Sequence, residues 1–246
     1  MAGETETIEV APGVELEITN FTPEENKIFD AEFSKLVTLY TKLSTTPSGK
    51  HAIYDLFLGT KEAFRVIAQA AKREIQPAAG VFNGMRALTG FGWRLIRPDD
   101  ILPAAQGRTW DKSVSGLTPN DWYGLYHNGA IGDAYNVNPL YLRKEIAIGI
   151  VGFMDLNNNA IITQIKWEID SKELPVYNME FQMRGTDLPI FRMPKVEYLR
   201  PAKQYRCQAK FTKASGDVAL VPLGITFVKS DWLRLIEPTQ PSTTAP

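Results

Sequence analysis

The first third of the chain carries apolar residues at helical spacing. Thr22-Pro23-Glu24-Glu25 is typical of a helix start, because the threonine hydroxyl can cap a free N–H, proline fits the first helical position and Glu25 completes a capping box. The apolar residues that follow recur every three or four positions: Phe29, Phe33, Leu36, Val37 and Tyr40. Residues 52–57 and 64–75 repeat this spacing, although the first of them also fits a strand, and Thr60 is placed to cap the second. We therefore predict a mostly helical segment over residues 20–76.

The second half of the chain has the pattern of strands. Apolar, β-branched runs over 145–156 and 161–169 flank an Asn-rich turn and predict a hairpin. Further strand patterns cover 93–96, 176–183, 205–211, 218–228 and 232–236, and a short one includes Val14, Leu16 and Ile18. Pro222 inside one of these runs favours an edge position or a bulge. Since alternating βαβ units are absent, the pattern indicates an antiparallel sandwich or barrel.

A long segment between these halves, residues 98–143, is rich in Gly, Pro, Asn and Asp and has weak periodicity. Its aromatic content argues for ordered irregular structure with short strands, because disordered linkers are poor in aromatics. The rings can cap one end of the β core, contact another protein or bind a small ligand. The candidate interface residues are Trp110, Trp122, Tyr123, Tyr126, Tyr135 and Tyr141.

Composition excludes several classes of protein. The chain has 246 residues, 44% hydrophobic and 22% charged, which is ordinary globular composition for one large domain or two small ones. No stretch approaches the roughly 20 apolar residues of a membrane span. The N-terminus lacks the basic and apolar regions of a signal peptide, so we expect no secretion by that route. Cys207 is the only cysteine, which excludes an intrachain disulfide, and its alternating neighbours place it towards a core.

The net charge of −1 is unevenly distributed. Residues 1–32 contain nine acidic residues and one lysine, a net charge of −8, so the remaining 214 residues carry +7. An acidic arm on a mildly basic body can dock on its own body or on a neighbour, or it can remain a solvated end.

Metal and phosphate sites find little support. His51, His127 and Cys207 are not at ligand spacing, which argues against a zinc site. Asp155 begins a sequence that resembles a calcium loop, but Ala160 replaces the glycine and Lys166 the final glutamate of such a loop. The glycines at 80, 84, 90 and 92 give no phosphate-binding fingerprint, and no basic run predicts nucleic-acid binding.

Catalytic patterns are equally weak. His127 lies six residues from Asp121 and from Asp133, which could orient it, but loop histidines are usually solvated. A glycosidase would need two carboxylates, for which the β-segment candidates are Asp155, Glu168, Asp170 and Glu180. Surface charge on the solvent-exposed face of a sheet is the better explanation of these carboxylates. We therefore predict no catalytic residue, no metal site and no cofactor.

The layout as a whole resembles the coat proteins of viruses built on jelly-roll β-sandwiches. The resemblance is one of architecture over residues 90–236 and rests on hairpins such as 145–169, long inter-strand loops and extended termini, without a motif. It implies subunits tiled in a shell, with termini and loops clasping neighbours. The acidic arm departs from the basic arms of many coat proteins, which points away from genome contact and towards a shell over a membrane or another protein layer, or a minor component.

Together these observations predict an α+β, mainly β chain: an acidic arm with a short strand (1–20), a helical segment (21–88), a jelly-roll-like antiparallel sandwich (89–236) and a Pro/Thr-rich tail (237–246). We expect a non-enzymatic structural subunit of a virion coat, made in the host cytoplasm, that assembles with copies of itself or with other coat proteins. The alternative is a lectin-like, carbohydrate-binding sandwich that stacks sugars on Trp110, Trp122, Tyr123 and Tyr126. A glycosidase-type hydrolase is a third option.

Overall fold

The computed structural model describes residues 5–11, 14–75, 91–101, 110–126, 140–156, 161–179 and 190–229. The helices in these residues are α1 Pro23–Thr41, α2 Pro47–Leu58, α3 Lys61–Glu74 and α4 Pro98–Ile101. The strands are β1 Thr5–Ala11, β2 Val14–Thr19, β3 Phe91–Leu95, β4 Asp111–Val114, β5 Trp122–Tyr126, β6 Leu140–Tyr141, β7 Ile146–Asp155, β8 Ile162–Ile169, β9 Lys172–Glu173, β10 Tyr177–Asn178, β11 Ile190–Leu199, β12 Gln204–Phe211 and β13 Gly216–Lys229. This content confirms the predicted α+β, mainly β class.

The helical segment forms where the spacing predicts it, with one local difference. The Thr22 hydroxyl accepts a hydrogen bond from the Glu25 amide (3.2 Å), and the Glu25 carboxylate accepts one from the Thr22 amide (2.9 Å), which completes the capping box. Thr60 precedes α3 but does not cap it. Its hydroxyl instead donates to the Leu56 carbonyl (2.8 Å), because α2 ends immediately before and leaves carbonyls without helical partners.

Two packed sheets carry the main strands, and all pairs between described strands are antiparallel. One sheet has the order β11-β7-β13-β3, with β4 also on β13; the other has the order β10-β8-β12-β5, with β6 on β12 and β9 on β8. The two orders contain eight strands, which in chain order are β3, β5, β7, β8, β10, β11, β12 and β13. The first pairs with the eighth, the second with the seventh, the third with the sixth and the fourth with the fifth. This nesting is the strand order of a jelly roll.

The hairpin predicted over residues 145–169 is wrong, because its two strands lie in different sheets. β7 pairs with β13 and β11, whereas β8 pairs with β12 and β10. All ten residues of β7 are buried, so this strand needs cover on both faces. β8 alternates buried and half-buried positions and needs cover on one face only. The predicted Asn-rich turn lies outside the described residues, and burial accounts for the sheet that each strand joins.

Two apolar cores give the molecule three layers. Ile146, Ile148 and Ile150 of β7 pack in the core between the sheets. Ala147 and Val151 pack on the other side of β7, in a second core with the helices. The second core also contains the apolar faces of α1, α2 and α3: Phe29, Phe33, Leu36, Val37, Tyr40, Ile53, Leu56, Phe57, Phe64, Ile67 and Ala68. We call the sheet with β7 the helix-covered sheet and the sheet with β8 the polar sheet.

Pro222 lies in β13 opposite Phe153 of β7. On the other side of β13 the described partners are β4 at residues 216–219 and β3 at residues 225–229, so Pro222 falls between them, and the predicted bulge is present beside it. The register of β13 against β7 shifts between Leu223 and Gly224. A Cβ atom on Gly224 would overlap the carbonyl oxygen of Gly149, so the two backbones approach more closely there than a side chain allows.

The acidic arm begins with a separate hairpin, β1–β2, that docks on its own subunit. Leu16 and Ile18 are 1% and 4% exposed and pack against Ala70 of α3. Glu17 forms an ion pair with Arg73, also on α3. Apolar contact thus fixes the hairpin to the body, and the charge pair adds to it.

β11 was not predicted, because Pro194 interrupts its strand pattern. Its register against β7 jumps from Arg192–Gly152 to Glu197–Ile150, so the residues between form a bulge. β11 is at the edge of its sheet. It is a poor template for pairing with another chain, because it contains a proline, a bulge and the exposed Lys195. The strand predicted over 176–183 appears as β10 up to Asn178, and its end at 180–183 lies outside the described residues, as do 232–236 and the tail.

Candidate functional site

The outer face of the polar sheet carries charged, amide and aromatic side chains in a regular alternation. Along β12, Tyr205, Cys207, Ala209 and Phe211 belong to the core between the sheets, so the alternate positions are on the outer face: Gln204, Arg206, Gln208 and Lys210. On β8 the corresponding outward residues are Gln164, Lys166 and Glu168. The long helices α1, α2 and α3 pack on the other sheet. This face is therefore the broad sheet surface to consider for binding.

Trp122 lies at one end of this face between two lysines. It is opposite Lys210 in the β5–β12 register and is half-buried. The ammonium groups of Lys166 and Lys210 are each 5.0 Å from the centroid of its ring, within cation–π range. Glu173 approaches Lys166 to 3.8 Å, but its side chain is 74% exposed. Solvent therefore screens this ion pair strongly.

The rest of the face is more evenly balanced in charge. Arg206 pairs with Glu168 across the two central strands at 3.4 Å. Tyr141 of β6 is 68% exposed, and its hydroxyl lies 3.5 Å from the Gln204 side-chain oxygen. Gln164 donates to Asn178 of β10 at 2.6 Å. Positive charge without a close, buried acidic partner therefore concentrates around Trp122.

The structure separates the six aromatic candidates. Trp110 and Tyr123 pack against the core between the sheets, with the Tyr123 ring 6.0 Å from that of Phe211. Trp122 and Tyr141 face outward instead. Tyr126 belongs to β5, but its side chain is outside the described part of the structure, and Tyr135 lies outside the described residues altogether. Consecutive strand residues point to opposite faces, so Trp122 and Tyr123 cannot share one stacking surface.

The acid–base candidates are scattered or undescribed. His127, Asp133, Asn157, Asn159, Ala160 and Glu180 lie outside the described residues. Asp121 is exposed just before β5, and Asp155 is buried at the end of β7. Asp170 lies 3.5 Å from Lys203, at the edge of the polar sheet. His51 is on α2, 76% exposed and 3.2 Å from Asp55. Within the described ranges, no group of three or more His, Cys, Asp or Glu side chains is placed to hold a metal ion.

Two buried polar clusters were missed by sequence reasoning. Arg94 donates two hydrogen bonds to Asp100 (2.9 and 2.6 Å), and the Thr226 hydroxyl donates a third at 2.8 Å. Burial raises the pKa of Asp100, while Arg94 opposes that shift. The Tyr177 hydroxyl donates to Glu197 at 2.5 Å. Thr226 joins Arg94 and Asp100 from β13, and Tyr177 meets Glu197 from a different strand; residue spacing does not reveal these approaches.

Two cavities lie along β11. A cavity of about 480 Å³ between the β1–β2 hairpin, α3 and the end of β8 has an apolar lining that includes Leu16, Val66 and Tyr198. The other, of about 810 Å³, is more open and lies between the end of α2, β10 and residues 191–194. Both have sizes in the range of small-molecule pockets.

The helical layer also exposes large apolar side chains that sequence reasoning assigned to no surface. Leu39 and Leu43 near the end of α1 are 44% and 43% exposed, and Tyr54 and Leu58 of α2 are 49% and 54% exposed. Each pair has i, i+4 spacing and therefore lies along one side of its chain segment. In the sequence, these residues fall outside the apolar spacing that predicts the buried face of each helix, and this could have indicated that they are exposed.

Comparison with known proteins gives no relative for this chain: no family model, no curated protein and no solved structure matches it. In the part of the chain that the structure describes, no helix is long and apolar enough to cross a bilayer.

Proposed function

We propose that this chain is a non-enzymatic structural subunit that assembles with copies of itself, or together with other coat proteins, into the coat of a virus particle. The observation that carries the proposal is the nested pairing of β3 with β13, β5 with β12, β7 with β11 and β8 with β10. Jelly rolls with this order are the building blocks of many viral coats. The virion as its location, after synthesis in the host cytoplasm, is part of the same proposal.

Surface features support a role in assembly beyond the fold, since jelly rolls also occur in lectins and cupins. The chain exposes Trp122 with its two lysines on one face and Leu39, Tyr54 and Leu58 on another. Aromatic and long apolar side chains at a surface are typical of protein–protein contacts. At the same time, the bulged edge strand β11 disfavours open-ended pairing of sheets, which would give fibres in place of a closed shell.

The carbohydrate-binding alternative finds less support in the geometry. Sugar stacking needs free ring faces side by side, but Tyr123 belongs to the inter-sheet core region and both lysines lie over the Trp122 ring. The glycosidase option needs two carboxylates facing one substrate. Glu168 is instead paired with Arg206, and Asp170 with Lys203.

Multi-angle light scattering of the purified full chain, over a range of concentrations in low and high salt, tests the proposal. We expect masses well above the 27.5 kDa of one chain, increasing with concentration. A mass of 27.5 kDa under every condition would contradict self-assembly. A monomer that binds glycans on an array would favour the lectin-like alternative.

A further inference from the structure

The polar sheet has a compact positive patch, which we call the Trp122 patch: Trp122, Lys166 and Lys210. Because each ammonium group is 5.0 Å from the same ring centroid, the two lie at most 10 Å apart. That is about one Debye length at 0.1 M salt, so they repel each other. The adjacent outward positions on the central strands are the uncharged amides Gln164 and Gln208. An acidic partner at this position would relieve the repulsion.

The Trp122 ring positions the two charges. The indole is half-buried in the sheet surface, and the attraction between its π face and each ammonium group restrains two otherwise flexible lysine side chains. Since two lysines already lie over the ring, the patch is better suited to receiving carboxylates than to stacking a sugar or a base. Restrained donors also lose less conformational entropy when a partner binds.

The β1–β2 hairpin presents the complementary charge. Residues 5–20 contain four glutamates and no lysine or arginine. Glu15 is exposed, and its backbone lies opposite that of Glu9 in the strand register. Leu16 and Ile18 hold the hairpin against α3, so Glu15 is displayed from a fixed base, while Glu17 pairs with Arg73 of its own subunit.

We propose that the Trp122 patch receives the acidic β1–β2 hairpin of a second copy of this chain. The inference rests on the proposed assembly function and specifies one of its contacts. Lysines on the polar sheet of one subunit meet glutamates of its neighbour's hairpin, while that hairpin stays docked on its own α3. The two surfaces are different patches, so the contact is heterologous: each subunit can use both, which by itself produces a ring if the rotation closes and an open helical array if it does not.

Charge reversal on the full chain, followed by light scattering at low salt, tests this contact. Lys166→Glu with Lys210→Glu should raise the concentration needed for assembly about tenfold or more, since attraction becomes repulsion. Glu9→Lys with Glu15→Lys should do the same. The chain that carries all four substitutions should assemble as the unmodified chain does, because the charges are again complementary. Lys27→Glu with Lys144→Glu, at two exposed positions outside the Trp122 patch and outside the exposed apolar surface of α1 and α2, is the control with the same charge change.

The outcomes separate the contact from the function. If the Lys166/Lys210 variant keeps its native circular dichroism and assembles like the control, the contact is refuted while the assembly function stands. If that variant fails to assemble but the fourfold variant does not recover, the patch binds something other than the hairpin, which also refutes the inference. An unmodified chain that remains monomeric would refute the assembly function itself. The contact is supported only if the fourfold variant recovers the assembly that each double variant has lost.

Discussion

Removing one hydroxyl, by Tyr40→Phe, tests how the helical layer is attached to the sandwich. Tyr40 is 1% exposed on α1. Its hydroxyl donates to the Gly224 carbonyl (2.6 Å) and accepts from the amides of Gly224 (3.1 Å) and Ile96 (3.3 Å). Burial raises the pKa of the Tyr40 phenol, so it keeps its proton as a donor. Gly224 lies at the bulge of β13, where the register shift interrupts regular pairing with β7.

The expected cost follows from the groups that lose this partner. Phenylalanine keeps the ring packing but leaves two buried N–H groups and one carbonyl without the phenol. Each unsatisfied buried group costs about 1–3 kcal/mol, and local relaxation recovers part of this. We therefore expect the free energy of unfolding to fall by about 2–4 kcal/mol, far more than a surface substitution costs.

Urea unfolding followed by tryptophan fluorescence and by circular dichroism provides the measurement. The matched control is Tyr54→Phe, which removes a hydroxyl from a half-exposed tyrosine of α2. A Tyr40→Phe variant within about 0.5 kcal/mol of both the control and the unmodified chain would refute the reasoning. It would mean that the backbone groups of Gly224 and Ile96 do not depend on the Tyr40 hydroxyl as their hydrogen-bond partner.

Two further substitutions or probes address the buried groups. Asp100→Ala leaves Arg94 buried without its carboxylate and should lower the free energy of unfolding by about 3–5 kcal/mol in the same experiment. Arg94→Met with Asp100→Leu removes both charges and should lower it by less. Equal losses in the two variants would contradict the view that the two charges compensate each other. Cys207 is fully buried and burial raises the pKa of its thiol, so a thiol-reactive dye should label it only as the chain unfolds, and rapid labelling of the native protein would show that β12 is not packed as described.

Local patterns in the sequence were enough to predict the helices and the class of fold. The capping box at Thr22 and the spacing from Phe29 to Tyr40 reflect interactions within one turn or one face, which sequence order preserves. The continuous apolar run of β7 also carried usable information. A strand buried on both faces belongs in the middle of a covered sheet, and this argues against the hairpin with β8.

Other features depend on pairings that residue spacing does not encode. Lys166 and Lys210 lie over Trp122 only because β8, β12 and β5 are neighbours in one sheet. Arg94 and Asp100 are close in sequence, but their burial beneath Thr226 depends on β13. The alternation of Trp122 and Tyr123 could have been predicted, because consecutive residues of any strand face opposite ways.

Electron microscopy of the purified full chain, at the concentration where light scattering finds the largest mass, tests the central claim most directly. Subunits of a coat should form closed particles or ordered arrays in which a repeating 27.5 kDa unit can be resolved with the jelly-roll sandwich inside it. Fields of separate 27.5 kDa particles at every concentration and salt condition would contradict the claim that this chain builds an assembly on its own.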